Sequence, residues 1–398
     1  MNTTPPSQPA TGSAAPNGAT LRRRLADGLS ASGALRSAEW RAAVEAVPRE
    51  VFVADWFDRD DTDRGTLWTP VTGDKAALDR VYSDVTLVTQ LDGHVVPSDV
   101  ADPVHGAPSS SSTLPGLVVG MLEDLSVRDG DEVLEIGTGS GYSTALLAQR
   151  LGDRRVTSVE IDPNTSARAA TALRRAGYHP HLVVGDGLDG VPDRAPFTRV
   201  IATCSVRRVP APWLDQADTG AVILTNLSGW LYAYGQVRLT VHGPGHATGA
   251  FLPGHVSFMQ ARRDAPPPID SRSAMAGTGE GRPTSLGPDI LADWTGRFVV
   301  QGALPTVQHL RTRVGDDSPY LDHLIATDGS YATLLPQPDG GWRVRQGGPR
   351  PMWDRAERAV AAWRAAGSPP TAAFRLRVTP ESQSVHLPHT DLAWCLPE

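Results

Sequence analysis

Three glycines within five residues, Gly137, Gly139 and Gly141, follow the apolar run Val133-Leu134-Glu135-Ile136 and lead into Tyr142. That order reads as a buried strand breaking into a tight turn that opens a helix over 142–151. A Cβ at those positions would block both the turn and the close approach of a ligand. A second apolar run, Val156-Thr157-Ser158-Val159, ends in Glu160, where a carboxylate could grip a ribose diol. A third, Leu182-Val183-Val184, ends in Gly185-Asp186-Gly187, which sets an acidic side chain against a base. Upstream, the serine run 109–112 and Thr113 place hydroxyls beside Pro115; downstream, Ser205, Arg207 and Arg208 follow the run 198–203. The set describes a nucleotide-type cofactor beside a site for a polar acceptor. Each part alone has a plainer reading: a glycine turn without ligand, a flexible serine linker, a solvated arginine pair.

The spacing chooses between cofactors. A nicotinamide or flavin fingerprint requires G-x-G-x-x-G. Here the third glycine comes one residue early and Tyr142 holds its place. G-x-G-x-G behind an acidic residue is the pattern of S-adenosylmethionine methyltransferases, and the strand ends at Glu160 and Asp186 agree with it.

The elements that must position these residues follow from periodicity. Residues 21–35 and 38–47 read as helices, 58–74 as loop, 94–112 as a second irregular stretch, and 115–124 as a helix with Pro115 at its first position. From 132 onward strand and helix alternate through 164–176, 198–203 and 221–225, with later strands at 230–241 and 256–260. Such alternation implies a mostly parallel, Rossmann-like sheet whose ligand crevice lies at the carboxyl ends of its strands. Residues 263–287, rich in Pro, Ser and Gly, read as a linker. Beyond it, strands at 298–301, 331–335, 342–345, 374–378 and 384–386, with a helix at 353–365, read as a separate C-terminal α+β unit. The organisation expected is thus a tail over 1–20, a catalytic domain over 21–262, a linker over 263–287 and a substrate-recognition domain over 288–398.

Composition narrows the function. A net charge of -7 argues against a nucleic-acid surface, as does the absence of the paired prolines and aromatic that amino-methylating nucleic-acid enzymes place after the fourth strand. Two cysteines, Cys204 and Cys395, form neither a disulfide framework nor a metal cluster, which suits a cytoplasmic protein. No apolar run approaches the ~20 residues that span a bilayer. His94 and His105 lack metal-ligand spacing. Lys75 is the only lysine beside the many arginines, a coding bias before it is a function.

With those residues in hand, 21–262 resembles the protein-L-isoaspartate O-methyltransferase family. Val47-Pro48-Arg49-Glu50-Val51-Phe52-Val53 is similar to its N-terminal signature, Tyr82-Ser83-Asp84 to its Y-x-D element, and the serine loop before Pro115 to its active-site loop. The resemblance implies S-adenosylmethionine held by Glu135, Gly137, Thr138, Gly139, Gly141, Tyr142, Glu160, Ile161, Gly185, Asp186 and Gly187, with the accepting carboxylate beside Ser111, Ser112 and Thr113. Departures are equally informative. The family loop reads close to Q-T-I-S-x-P, whereas this chain has Ser110-Ser111-Ser112-Thr113-Leu114-Pro115, so the key hydroxyl falls on Thr113. The loop after the fourth strand is basic, and the chain runs on to residue 398. These departures resemble the branch that accompanies ATP-grasp ligases in ribosomal-peptide maturation; a sister branch accompanies lanthipeptide synthetases. That resemblance implies a crosslinked precursor peptide (a graspetide) as partner, held by Ser205, Arg207 and Arg208, with one aspartate methylated and closed to an aspartimide. Generic isoaspartyl repair is the nearest alternative, and a scaffold without turnover is the other.

The chemistry is undemanding of acids and bases. An aspartate, with a reference pKa of about 3.9, is already the nucleophile at neutral pH. What a protein adds is orientation, which can be worth about 7–11 kcal/mol of barrier. Tight ion pairing would be counterproductive, since it holds the ground state more strongly than the less charged transition state.

Overall fold

In the computed structural model, residues 17–62, 65–73, 78–277, 281–313, 315 and 318–397 are described. Residues 1–16 of the expected tail, and Lys75, lie outside them. The first helix begins before residue 21: Asn17 Oδ1 accepts from Thr20 N at 2.9 Å and caps α1 (Gly18–Ala31). The helix buries Leu21, Leu25, Ala26 and Leu29, one apolar stripe, against α2 (Ala38–Ala46).

The next stretch departs from expectation twice. Residues 58–74 are not loop: β1 (Trp56–Thr62) and β2 (Gly65–Val71) pair as a hairpin from Trp56↔Val71 to Thr62↔Gly65. Most of β1 is exposed, so no hydrophobic alternation marked it. After the short α3 (Leu78–Val81), β3 (Leu87–Leu91) and β4 (Pro108–Ser112) complete a sheet in the order β2-β1-β3-β4. The serine run is therefore a strand. Its own residues favour loops, and pairing to the apolar β3, with Leu87 opposite Ser112 and Val88 opposite Ser111, overrides that preference. Then comes α4 (Pro115–Leu125), whose Gly116 N donates to Asp84 Oδ1 at 2.6 Å. A Cβ on Gly116 would lie 2.5 Å from the other oxygen of Asp84, so the Y-x-D element works as the cap of this helix.

The alternation from 132 onward is present. β5 (Val133–Ile136), α5 (Tyr142–Leu151), β6 (Val156–Glu160), α6 (Pro163–Ala176), β7 (His181–Val184), β8 (Phe197–Val206), α7 (Ala211–Asp215) and β9 (Ala217–Ser228) follow in turn. All five strands run parallel in the order β9-β8-β5-β6-β7. The strand order reverses at β5, with β6 on one side and β8 on the other, so its carboxyl end is the place for a ligand. β10 (Tyr234–Gly243) and β11 (His246–Phe251) then continue the sheet antiparallel. Residues 256–260 form no strand; a single bridge joins Gln260 to Ser205.

The C-terminal part corrects the domain reading. α8 (Arg272–Ala276) and β12 (Arg282–Thr284) lie inside the expected linker, and β12 pairs with a C-terminal strand. Residues 298–301 belong to α9 (Trp294–Ala303), not to a strand; a short, fully buried apolar run reads alike in both states. β13 (Val307–Thr312), β14 (Leu321–Ala326), β15 (Tyr331–Pro336) and β16 (Trp342–Gly347) form an antiparallel sheet ordered β12-β16-β15-β14-β13. After α10 (Met352–Ala365), the strands β17 (Arg375–Val378), β18 (Gln383–His386) and β19 (Ala393–Cys395) return to the catalytic sheet and pair onto β11. The large sheet thus has ten strands, β19-β18-β17-β11-β10-β9-β8-β5-β6-β7. One core runs from Leu134 and Ile136 through Val237 to Trp353, Phe374 and Val385. Residues 288–398 are not a unit apart.

Candidate active site

Gly137, Gly139 and Gly141 all have positive φ, at 94°, 54° and 90°, the region that only glycine enters at little cost. Space enforces the first of them as well. A Cβ on Gly137 would lie 2.7 Å from Thr203 Oγ1, the hydroxyl that donates to Gly137 O at 2.7 Å. Thr203 thus fastens the turn to the end of β8.

Glu135 was expected to touch the cofactor and is placed behind the turn instead. Fully buried, it accepts from Ser143 Oγ at 2.5 Å, Thr144 Oγ1 at 2.5 Å and Ser158 Oγ at 2.7 Å. Burial raises its carboxyl above the ordinary glutamate range, and the three hydroxyls offset that only in part. Its role here is to tie β5, β6 and the first turn of α5 together. Gly141 and Gly185 also stand outside the cavity: Gly141 faces Ala169, Leu173 and Phe52, and Gly185 N donates to Glu160 O.

The cavity itself, about 1020 Å³ including its open mouth, sits at the carboxyl end of β5. Its walls include Gly137, Thr138, Gly139, Tyr142, Glu160, Ile161, Asp186 and Gly187 from the expected cofactor set, together with Ser111, Ser112 and Thr113. Glu160 is held ready, its Oε2 accepting from Gly139 N at 2.9 Å and its Oε1 from Asp162 N at 3.1 Å. Asp186 accepts from Leu188 N at 2.9 Å and pairs with Arg263 at 2.9 Å. A Cβ on Gly187 would lie 2.4 Å from Ile136 Cγ2, so the chain after β7 presses against β5. Tyr142 Oη is buried with no hydrogen-bond partner among the described residues, and burial pushes its pKa up to about 12. A glycine cradle and a backbone-held carboxylate on the wall together fit a nucleoside-bearing cofactor.

The serine strand meets this cavity edge-on. Strand alternation buries Ser110 and Ser112 on one face and leaves Ser109 and Ser111 on the other. Ser111 Oγ and Thr113 Oγ1 have no partner among the described residues, whereas Ser112 Oγ accepts from Arg49 at 3.4 Å. Arg49 was missed as a site residue. Wholly buried, it donates to the carbonyls of Val81, Ser83, Val85, Ser112 and Thr113, at 2.5 to 3.4 Å. Removal from water lowers its pKa to about 10. A cation between Val47-Pro48 and Val51-Phe52-Val53 was the sequence signal that could have found it.

The three expected substrate contacts are not brought to the cavity. Ser205 is buried and donates to Phe258 O at 3.1 Å. Arg207 lies 4.0 Å over the Trp230 ring and donates to Pro305 O at 3.1 Å, so it joins the strand-end loop to the C-terminal part. Arg208 lines no part of the cavity. In their place stand Cys204 and residues 258–262, which close one side. Desolvation first, then the charges of Glu160, Asp264 and Asp186, push the Cys204 thiol up to about 12, which makes it inert as a nucleophile.

Comparison with known proteins bears on this geometry. Residues 95–229 match the family model for protein-L-isoaspartate(D-aspartate) O-methyltransferase (PCMT). The protein-L-isoaspartate O-methyltransferase of Ignicoccus hospitalis is 30% identical over 205 residues, 51% of this chain and 80% of that protein. The chain belongs to the protein-L-isoaspartate O-methyltransferase family. Its members are S-adenosylmethionine-dependent carboxyl methyltransferases, and the glycine cradle accords with that cofactor. Protein-L-isoaspartate O-methyltransferase 2 of Anaeromyxobacter sp. (strain Fw109-5) is 40% identical over 111 residues, which cover 28% of this chain and 45% of that relative. A solved structure of a protein-L-isoaspartate O-methyltransferase matches with a TM-score of 0.54 at 19% identity, covering 92% of this chain and 99% of its own. That likeness is one of fold, and it reaches across the C-terminal part. The extension to residue 398 therefore does not by itself set this chain apart from a protein bearing that name. Among the described residues no group of His, Cys, Asp and Glu could hold a metal, and no helix is long and apolar enough to cross a membrane.

Proposed function

We propose that this methyltransferase esterifies the side-chain carboxylate of one aspartate in a crosslinked ribosomal precursor peptide, and that the ester then closes to an aspartimide. The observation that carries the carboxylate reading is a pair of hydroxyls without a partner among the described residues, Ser111 Oγ and Thr113 Oγ1, on residues that line the glycine-turn cavity. Bound S-adenosylmethionine supplies an electrophilic sulfonium methyl. Gly137, Thr138, Gly139 and Tyr142 would hold its amino-acid end, Glu160 its ribose, and Asp186 and Gly187 its adenine. Ser111 and Thr113 donate to one oxygen of the acceptor and leave the other free to attack. Arg49 is a positioning residue: its Nη1 and Nη2 are directed at backbone carbonyls and Ser112 Oγ, so it fixes β4 without pairing the nucleophile. Ring closure needs no further group. The next backbone nitrogen attacks the ester carbonyl, and methanol leaves with the amide proton.

The finer, graspetide reading is supported by the serine-for-Q-T-I-S loop and the Phe258-Met259 ending, which resemble the branch accompanying ATP-grasp ligases. Isoaspartyl repair is the second reading, and the names of the relatives favour it. Mass spectrometry separates the two. The crosslinked precursor should gain one methyl and then lose methanol, while a linear isoaspartyl peptide should turn over poorly. Efficient methylation of any isoaspartyl peptide, indifferent to crosslinking, would transfer the conclusion to repair.

A further inference from the structure

Residues 258–262 line one side of the cavity, and the segment 256–264 that carries them is fastened on its two sides by different forces. Toward β8, β9 and the loops that follow them the bonds are largely buried or backbone-directed. Ser205 donates to Phe258 O at 3.1 Å and Met259 O at 2.9 Å, and accepts from Ala261 N at 2.8 Å. Asn226 donates to Val256 O at 3.1 Å, Arg207 N to Asp264 Oδ2 at 2.8 Å and Trp230 Nε1 to Asp264 O at 2.9 Å. Ser205 and Asn226 are both fully buried. Toward α6 and the turn after β7, the polar contacts among the described residues are ion pairs, while the buried Phe258 packs into the core. Arg262 reaches Asp162 at 3.0 Å, and Arg263 reaches Asp186 at 2.9 Å and Asp189 at 2.8 Å. The side chains of Arg262 and Arg263 are 44% and 53% exposed, so water and salt compete for these contacts.

We infer that residues 256–264 are a strap hinged at Ser205 and Asn226 and latched by Arg262 and Arg263, and that the latch governs how fast cofactor enters and leaves. The inference rests on the cofactor reading above and extends it to two residues that would not touch the reacting atoms. The asymmetry is the argument. Buried hydrogen bonds open rarely because a parted donor or acceptor is left unsatisfied, whereas exposed ion pairs exchange with water at little cost. Asp162 caps α6, and Asp186 and Asp189 flank the turn after β7. The latch therefore closes onto the adenosine end of the cavity, not onto the serine strand. Product exchange through the latch leaves the acceptor side undisturbed.

The test uses the full chain and the cofactor product alone. Surface plasmon resonance with S-adenosylhomocysteine should show both association and dissociation rates rising about tenfold in R262A/R263A, three ion pairs of the latch being lost together. The equilibrium constant should change much less than either rate. D189N, which removes one partner outside the cavity wall, should give a smaller rise. Added salt should speed release from the wild type and have little effect on the double variant. Unchanged rates in a double variant with the wild-type melting temperature would overturn the latch. So would a loss of affinity arising from association alone, which would make the arginines electrostatic contacts. Because no acceptor is present, either result leaves the carboxylate reading standing; failure of the wild type to bind S-adenosylhomocysteine would instead sink the cofactor reading.

Discussion

The parallel half of the large sheet and its antiparallel half do opposite kinds of work. In the parallel half, β5 to β9, the cavity is built from strand ends and the turns that follow them, so each chemical group lies next to the run that positions it. In the antiparallel half, β10, β11 and β17 to β19, residues distant in sequence complete the frame and contribute no strand residue to the cavity wall. Both halves share one core. A site can therefore be local in sequence while the stability that holds it is not.

The largest break in that comparison is truncation. Removing residues 287–398 takes three strands from the catalytic sheet and exposes Phe298, Trp353, Phe374 and Val385 partners in the core. We expect loss of cooperative melting by circular dichroism, not a free-standing catalytic domain. A soluble truncated chain that still binds cofactor would restore the two-domain view. Next come matched glycine substitutions. In Gly187→Ala the new Cβ would sit 2.4 Å from Ile136 Cγ2, and in Gly302→Ala it would sit 2.3 Å from the Trp394 ring. Each should cost about 1–3 kcal/mol from overpacking, seen as a lower melting temperature. Only the first should also weaken cofactor binding by calorimetry, and equal weakening by both would erase the division of labour.

Smaller effects sharpen the acceptor side, where the four-stranded sheet meets the parallel half. Arg49→Lys keeps a cation but cannot reach five carbonyls, so β4 should shift and kcat fall by about 100-fold, with cofactor affinity retained. Wild-type kcat in that variant would remove Arg49 from the positioning role. Thr113→Val, which keeps the shape and deletes the hydroxyl, should lower kcat/KM about tenfold. Ser112→Ala should do less, because that hydroxyl is turned to Arg49, and the reverse ranking would relocate the acceptor. Least of all, iodoacetamide at pH 8 should label the exposed Cys395 long before Cys204, whose thiol stays protonated well above that pH. Rapid Cys204 labelling would show the wall to be open.

Legibility followed the same divide. The glycine turn, Glu160 and Asp186 could be read because each ends an apolar run, and sheet geometry converts the end of a parallel strand into a place in the crevice. Glu135 sat in the right motif yet faces inward, since alternation along a strand assigns its side chain to the opposite face. Ser205, Arg207 and Arg208 had the chemistry of a substrate contact, but Phe258, Trp230 and the Pro305 carbonyl use Ser205 and Arg207 to join the strap and the C-terminal part. The hairpin β1–β2 and the strand β4 were hidden by polar composition, because pairing and not propensity makes them strands.

What the residues determined unaided was the chemistry of the turn: three glycines, Tyr142 where a dinucleotide fingerprint has its third glycine, and two strand-end carboxylates specify one cofactor class, because turn sterics and ribose recognition are local demands. Tertiary structure alone decided which hydroxyls are free, which arginine holds the serine strand, and that residues 375–395 belong to the catalytic sheet. Those outcomes depend on which surfaces meet, and a period-two strand or a lone buried cation carries no record of its partner until the core closes around it.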